Sequence, residues 1–209
     1  MGFLRVVENC KDNSGRQIFF IDPSRQDRTK YSRESMTRSL WYILHKVLQS
    51  DITSQQKGIV FIGYPKNVTI NIFDRTQVKM NIESIQGCLP VRLTGIHMCH
   101  PPTIFTIIWP IISVFMGERL KKRVRIHSGN EEKVLQVLKE NFNLTKDLLP
   151  TPIGGTVKLH HKGWLKEQAI KEGGKQIERK RKRQGVSRRW KNLYVSCVCG
   201  KDRTLKKNV

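Results

Sequence analysis

Acidic residues are scarce in this chain: 17 Asp+Glu stand against 39 Lys+Arg, a formal charge of +22 over 209 residues. A surface so basic favours polyanions, whether nucleic acid or an anionic membrane face. Cysteines are few and odd in number (Cys10, Cys88, Cys99, Cys197, Cys199), so the spacing implies thiols in a reducing compartment rather than a disulfide framework. No apolar run approaches the roughly 20 residues that span a bilayer. The longest, Ile104–Met116, is interrupted by Pro110. There is no Gly-rich phosphate loop, nucleophile elbow or dinucleotide fingerprint, and nothing in the residues argues for catalysis. Met1-Gly-Phe-Leu-Arg-Val begins like a myristoylation signal but has Val6 where Ser or Thr is required.

What is present alternates between strand and helix. Gln17-Ile-Phe-Phe-Ile-Asp22 follows the turn signal Asp12-Asn-Ser-Gly15. Ser32 can cap a helix with Met36, Leu40, Ile43, Leu44 and Val47 on one face. Gly58-Ile-Val-Phe-Ile-Gly63 is apolar throughout, as in a parallel strand buried on both faces. A helical pattern over 72–85, a strand over 92–98, the apolar Ile104–Met116 helix and a strand over 124–127 follow. Ser128-Gly-Asn-Glu131 reads as a capping box for a last helix carrying Val134, Leu135, Leu138 and Phe142. This order predicts an α/β domain with a mainly parallel β-sheet and helices packed on it. We place a lead-in at 1–14, the folded domain at 15–172, and a basic, disordered tail at 173–209, where apolar periodicity is lost.

Two basic features stand out. Arg179-Lys-Arg-Lys-Arg183, with Arg188, Arg189 and Lys191, suits nucleic acid, an import receptor, anionic lipid, or simply solvent. Arg119, Lys121, Lys122, Arg123 and Arg125 instead abut the apolar helix. Cations there either complement the helix dipole or meet lipid phosphates at a bilayer interface. The helix is apolar nearly all round, so it needs apolar partners on both faces. His97-Met-Cys-His100 contains three metal-ligating side chains, but strand alternation points His97 and Cys99 one way and His100 the other. Cys197-Val-Cys199 lacks the spacing of a zinc site.

Four blocks carry a family resemblance: Leu89-Pro-Val-Arg-Leu-Thr-Gly-Ile-His-Met-Cys-His-Pro-Pro, Phe105-Thr-Ile-Ile-Trp-Pro, the stretch 119–127, and Leu149-Pro-Thr-Pro-Ile-Gly-Gly155. In order and spacing they resemble the CRAL-TRIO lipid-binding domain, the family of the tocopherol and retinaldehyde carriers and of the yeast phosphatidylinositol-transfer protein. The resemblance implies a sheet flooring a lipid pocket, with the Ile104–Met116 helix as its gate; the family usually carries an N-terminal helical subdomain, which this sequence, starting almost at the first strand, is expected to lack, as a minimal form or a truncated product. It implies a non-enzymatic carrier of a small hydrophobic lipid, with no cofactor besides that ligand, cytoplasmic and peripherally attached to membranes. Family cations that contact phosphoinositides correspond to Arg92, Arg119 and Arg123, whereas Val91 stands where phosphatidylinositol-transfer members have an acid. The expected pocket lining is Ile62, Tyr64, Ile96, Met98, Phe105, Ile108, Trp109 and Ile112. The alternative partner is nucleic acid, or an adaptor's target, engaged by the basic tail.

Overall fold

The computed structural model describes residues 2–181. Five strands form one sheet in the order β1-β2-β3-β4-β5: β1 (Leu4–Lys11), β2 (Gln17–Ile21), β3 (Ile59–Gly63), β4 (Leu93–Cys99) and β5 (Val124–His127). β2 to β5 run parallel, and β1 pairs antiparallel with β2. The expected mainly parallel α/β architecture is therefore present. Spatial order follows chain order, so right-handed crossovers place the connecting helices on one face. These are α1 (Arg33–Ser50), α2 (Ile52–Lys57), α3 (Arg75–Cys88), α4 (Phe105–Val114) and α5 (Glu118–Lys121). α6 (Glu131–Phe142) comes after the last strand and packs on the opposite face; α7 (His161–Arg181) ends the described chain.

Local chemistry sets the helix starts. Ser32 accepts the N–H of Ser35 at α1, Asp51 that of Ser54 at α2, and Asp74 that of Gln77 at α3. α3 thus begins at Arg75 rather than at 72. At α6 the cap is Asn130, which accepts the Lys133 N–H at 3.0 Å. The expected capping box on Ser128 is not formed; Glu131 is already the first helical residue.

The two faces of the sheet build separate cores. Phe19, Phe61, Leu40, Leu44 and Leu120 belong to the face of α1–α5; Ile18, Phe20, Val60, Ile62, Val134 and Leu138 to the face of α6. β3 is buried at all five residues, which is why it reads as unbroken apolar sequence.

Two segments differ from the sequence reading. Residues 4–11, taken as lead-in, form β1: Leu4, Val6 and Val7 are buried and Arg5 pairs with Asp22 at 3.3 Å, so its charges hid a strand. α7 continues to Arg181, past the boundary expected at 172. The remainder of the tail, including Arg183, Arg188, Arg189, Lys191, Cys197 and Cys199, lies outside the described residues.

Gly58 joins α2 to β3 at a φ of +95°, and a β-carbon there would sit 2.2 Å from the Arg92 carbonyl oxygen. That carbonyl accepts the Ile59 N–H at 2.9 Å, fastening the residue before β4 to the start of β3. Gly58→Ala should lower stability by about 1–3 kcal/mol, read as a fall in the urea midpoint. An unchanged midpoint would show that the Arg92 backbone moves aside freely.

Candidate lipid site and basic clefts

β4 is the strand around which the site is built. Its register pairs Ile96 with Phe61 and Met98 with Gly63 on one side of the sheet, and His97 with Ile62 on the other. Met98 lies across Gly63, where a β-carbon would come 2.5 Å from its sulfur. Above it sits an apolar cluster of buried Val68, Phe105 and Ile108, with Phe73, Met98, Ile104, Trp109 and Ile112 around them. The rings of Phe105 and Trp109 stack at 6.0 Å. Ile96 belongs to the adjoining core.

Six of the eight expected pocket residues, Ile96, Met98, Phe105, Ile108, Trp109 and Ile112, are thus brought to the α4 face. Ile62 and Tyr64 are not. They pack on the α6 face with Phe20 and Leu138, and Tyr64 meets His100 edge-on at 6.1 Å. The reason is the two-residue period of a strand: β3 presents Phe61 and Gly63 toward α4. α4 itself runs through Pro110. One side is buried, while Ile107 and Val114 on the other are 59% and 74% exposed. A helix apolar on both faces accordingly has, among the described residues, protein on one side only.

The predicted cations divide differently. Arg92 and Arg123 line one cleft of about 560 Å³, together with Arg16 and Lys57. Arg119 does not line it; it is exposed on α5. Arg123 is half-buried and donates through its guanidinium to the Leu93 carbonyl oxygen. Arg16 and Lys57 escaped the sequence reading. Their signal was there: a cation stands one or two residues before each parallel strand, at Arg16, Lys57, Arg92 and Arg123. Neighbouring strands are about 4.8 Å apart, so four such positions form a row.

On the α6 face a second cleft of about 390 Å³ lies between the amino ends of β3–β5 and the end of α6. His97 is in its wall, 4% exposed, with Nδ1 3.0 Å from Nε2 of His127. The two rings stack, and Phe142 meets both edge-on at 4.4 and 5.6 Å. Burial, and then the charges of His127, Arg125 and Arg16, push His97 down to about 3. Burial and Arg125 likewise lower His127. Among the described residues no cluster of three or more His, Cys, Asp or Glu is placed to hold a metal ion, and no helix is long and apolar enough to cross a membrane.

A sheet with helices on both faces, an apolar cluster under one helix and cations along the strand ends has a known counterpart. A family model for the CRAL/TRIO domain matches residues 4–155, and the chain belongs to that family of lipid-binding and lipid-transfer proteins. It is similar to the "Alpha-tocopherol transfer protein-like" protein of Mus musculus, 29% identical over 158 residues, covering 74% of this chain and 44% of that protein. It is also similar to Clavesin-1 of Rattus norvegicus, 26% identical over 159 residues, covering 75% and 43%. The chain spans less than half the length of these curated relatives. The solved structure of Sfh5 superposes with a TM-score of 0.52 at 14% identity, over 62% of this chain and 50% of that one, which shows the shared fold.

The histidine pair makes stability depend on pH. A histidine takes up a proton near pH 6.5 in the unfolded chain but only near 3 when buried as His97 is. Between those values the unfolded state binds the extra proton, so stability is full above about 6.5 and falls as pH drops, by about 1.4 kcal/mol per unit for one such group. His97→Phe, whose ring still packs on Phe142, should flatten the dependence of the urea midpoint between about pH 6 and 4.5. An unaltered slope would mean that His97 is not held neutral.

Proposed function

We propose that the protein binds a small hydrophobic lipid on the α4 face of the sheet and carries it between membranes, docking on anionic, phosphoinositide-containing surfaces through Arg92, Arg119 and Arg123. The observation that carries this reading is α4: apolar all round, with protein on one side and Ile107 and Val114 outward on the other. Such a helix rests on its own protein or dips into an acyl boundary. Burying a chain releases about 0.8 kcal/mol per methylene wherever it goes. Pocket and bilayer therefore compete on near-equal terms, and exchange is controlled by the cover. The tocopherol named in the mouse relative's title supports an apolar ligand and does not specify this one. Membrane contact is peripheral, from the cytoplasmic side, and the chemistry is binding rather than turnover.

Arg92 and Arg123 of the cationic row, with Arg119 on α5, supply the docking charge. Each cation near an anionic surface contributes about 1 kcal/mol, and arginine suits phosphate in two-pronged contacts. Arg92 and Arg119 are both exposed, so they can be reversed without disturbing a core. Arg123 cannot, because its guanidinium is fastened to Leu93.

Flotation with phosphoinositide-containing vesicles tests the docking. The Arg92→Glu, Arg119→Glu double variant should lose roughly a thousandfold in binding, from about 1 kcal/mol per cation removed and a similar repulsion added at each of the two positions. Native mass spectrometry should find a lipid retained in both proteins. Undiminished flotation would remove Arg92 and Arg119 from the interface. Loss of binding on deleting residues 182–209 alone would favour the tail as the binding element.

A further inference from the structure

The two edges of the sheet are finished differently. At β1 the chain wraps from one face to the other. Val157 and Leu159 pack in the α6-face core and Trp164 in the core of the α1 face. His161, between them, lies against Gly2, where a β-carbon would fall 3.6 Å from its ring. At the other edge, among the described residues, β5 pairs with β4 alone. Its Arg125 and Ile126 are exposed, Ile126 at 41%. An open edge is a template for another strand.

Register decides which backbone groups are free. The Arg123 carbonyl accepts the Ile96 N–H, and the His127 carbonyl accepts the His100 N–H, each at 3.0 Å. Alternate residues of a strand turn their N–H and C=O to opposite sides, so those of Val124 and Ile126 point away from β4. One of these outward groups has a stand-in partner. The Arg125 side chain folds back along the edge and donates from Nη1 to the Val124 carbonyl at 3.1 Å and to the Lys122 carbonyl. The guanidinium thus stands where the N–H of an added strand would bond.

Side chains along the edge differ by face. Arg125 pairs in register with His97, on the α6 face, and Ile126 with Met98, on the α4 face. An added strand therefore meets a cation on one side and exposed apolar surface on the other. The stretch 119–127 holds five cations and no acid, and Glu118 just before it is paired with Lys121 at 3.2 Å.

Charge discriminates among the occupants. A second copy, pairing antiparallel about a two-fold axis, sets this basic stretch against itself. Residues 182–209 are also basic, with Asp202 their one acid. An acidic strand from another protein has the opposite sign.

We propose that the β5 edge receives an extended segment of a partner protein in which acidic and apolar residues alternate. Its backbone bonds to the outward groups of Val124 and Ile126. Its acidic side chains draw the Arg125 guanidinium off the Val124 carbonyl, and its apolar ones lie beside Ile126. The lipid reading is not needed for this contact.

The test uses the full chain and a fluorescent octapeptide of alternating Glu and Val, with anisotropy for affinity and NMR for location. The backbone amide signals of Val124 and Ile126 should shift saturably. The same peptide N-methylated throughout keeps its charge but donates no backbone bond, and it should bind at least about tenfold more weakly. Ile126→Pro removes an outward N–H and no bond to β4, and Arg125→Glu reverses the cation; each should weaken binding about tenfold, with urea midpoints checking the fold. Equal binding of the methylated peptide, or shifts confined to signals away from β5, would assign the affinity to general charge attraction and overturn the proposal. So would a peptide that does not bind, or binding undiminished in both variants. A dimer in sedimentation that Ile126→Pro abolishes would give the edge to a second copy instead. The methylated peptide is compared on the unaltered chain, so the answer does not hang on a variant's folding.

Discussion

The side chains of Ile96 to Cys99 in β4 are committed by the two-residue period of the strand to one of two chemically opposed neighbours. Ile96 and Met98 face the apolar underside of α4, while His97 and Cys99 face α6. A slip of one residue would put a histidine under α4 and a methionine among arginines, so the apolar and cationic sites are mutually dependent on register. The backbone bond between Ile59 and Arg92 and the parallel ladders on both sides hold that register. Neither site has to be built separately; both are consequences of where β4 stops and starts.

Much of this was legible in the sequence. The alternation of strands and helices, the cap at Ser32 with its apolar face, and the doubly buried β3 are local signals with one physical meaning, and the structure has them. β1 was not legible, because Arg5, Glu8 and Lys11 break its pattern and the partner of Arg5 is 17 residues away at Asp22. The α6 cap was misplaced for a simpler reason: Ser128 and Asn130 are both competent, and which one turns the chain is decided by backbone geometry.

For the candidate site the division is similar. The α4 residues and those of β4 fell together because each element carries its own periodicity. Ile62 and Tyr64 did not, since apolarity alone does not report which face of a doubly buried strand a residue takes. The pairing of His97 with His127 crosses two strands and 30 residues, so no local pattern announces it. Arg16 and Lys57 became meaningful only when four strand starts were aligned side by side.

Pro110 has a consequence of its own. It sits inside α4 and has no amide hydrogen, so the Thr106 carbonyl receives no helical bond from it. Parting the helix at that level sacrifices one backbone bond fewer than at its other turns, and both halves keep their remaining bonds. The cover over the apolar cluster is thereby pre-scored: it has a crease, and the crease lies between Ile107 on the outer surface and the Ile112 that reaches the core.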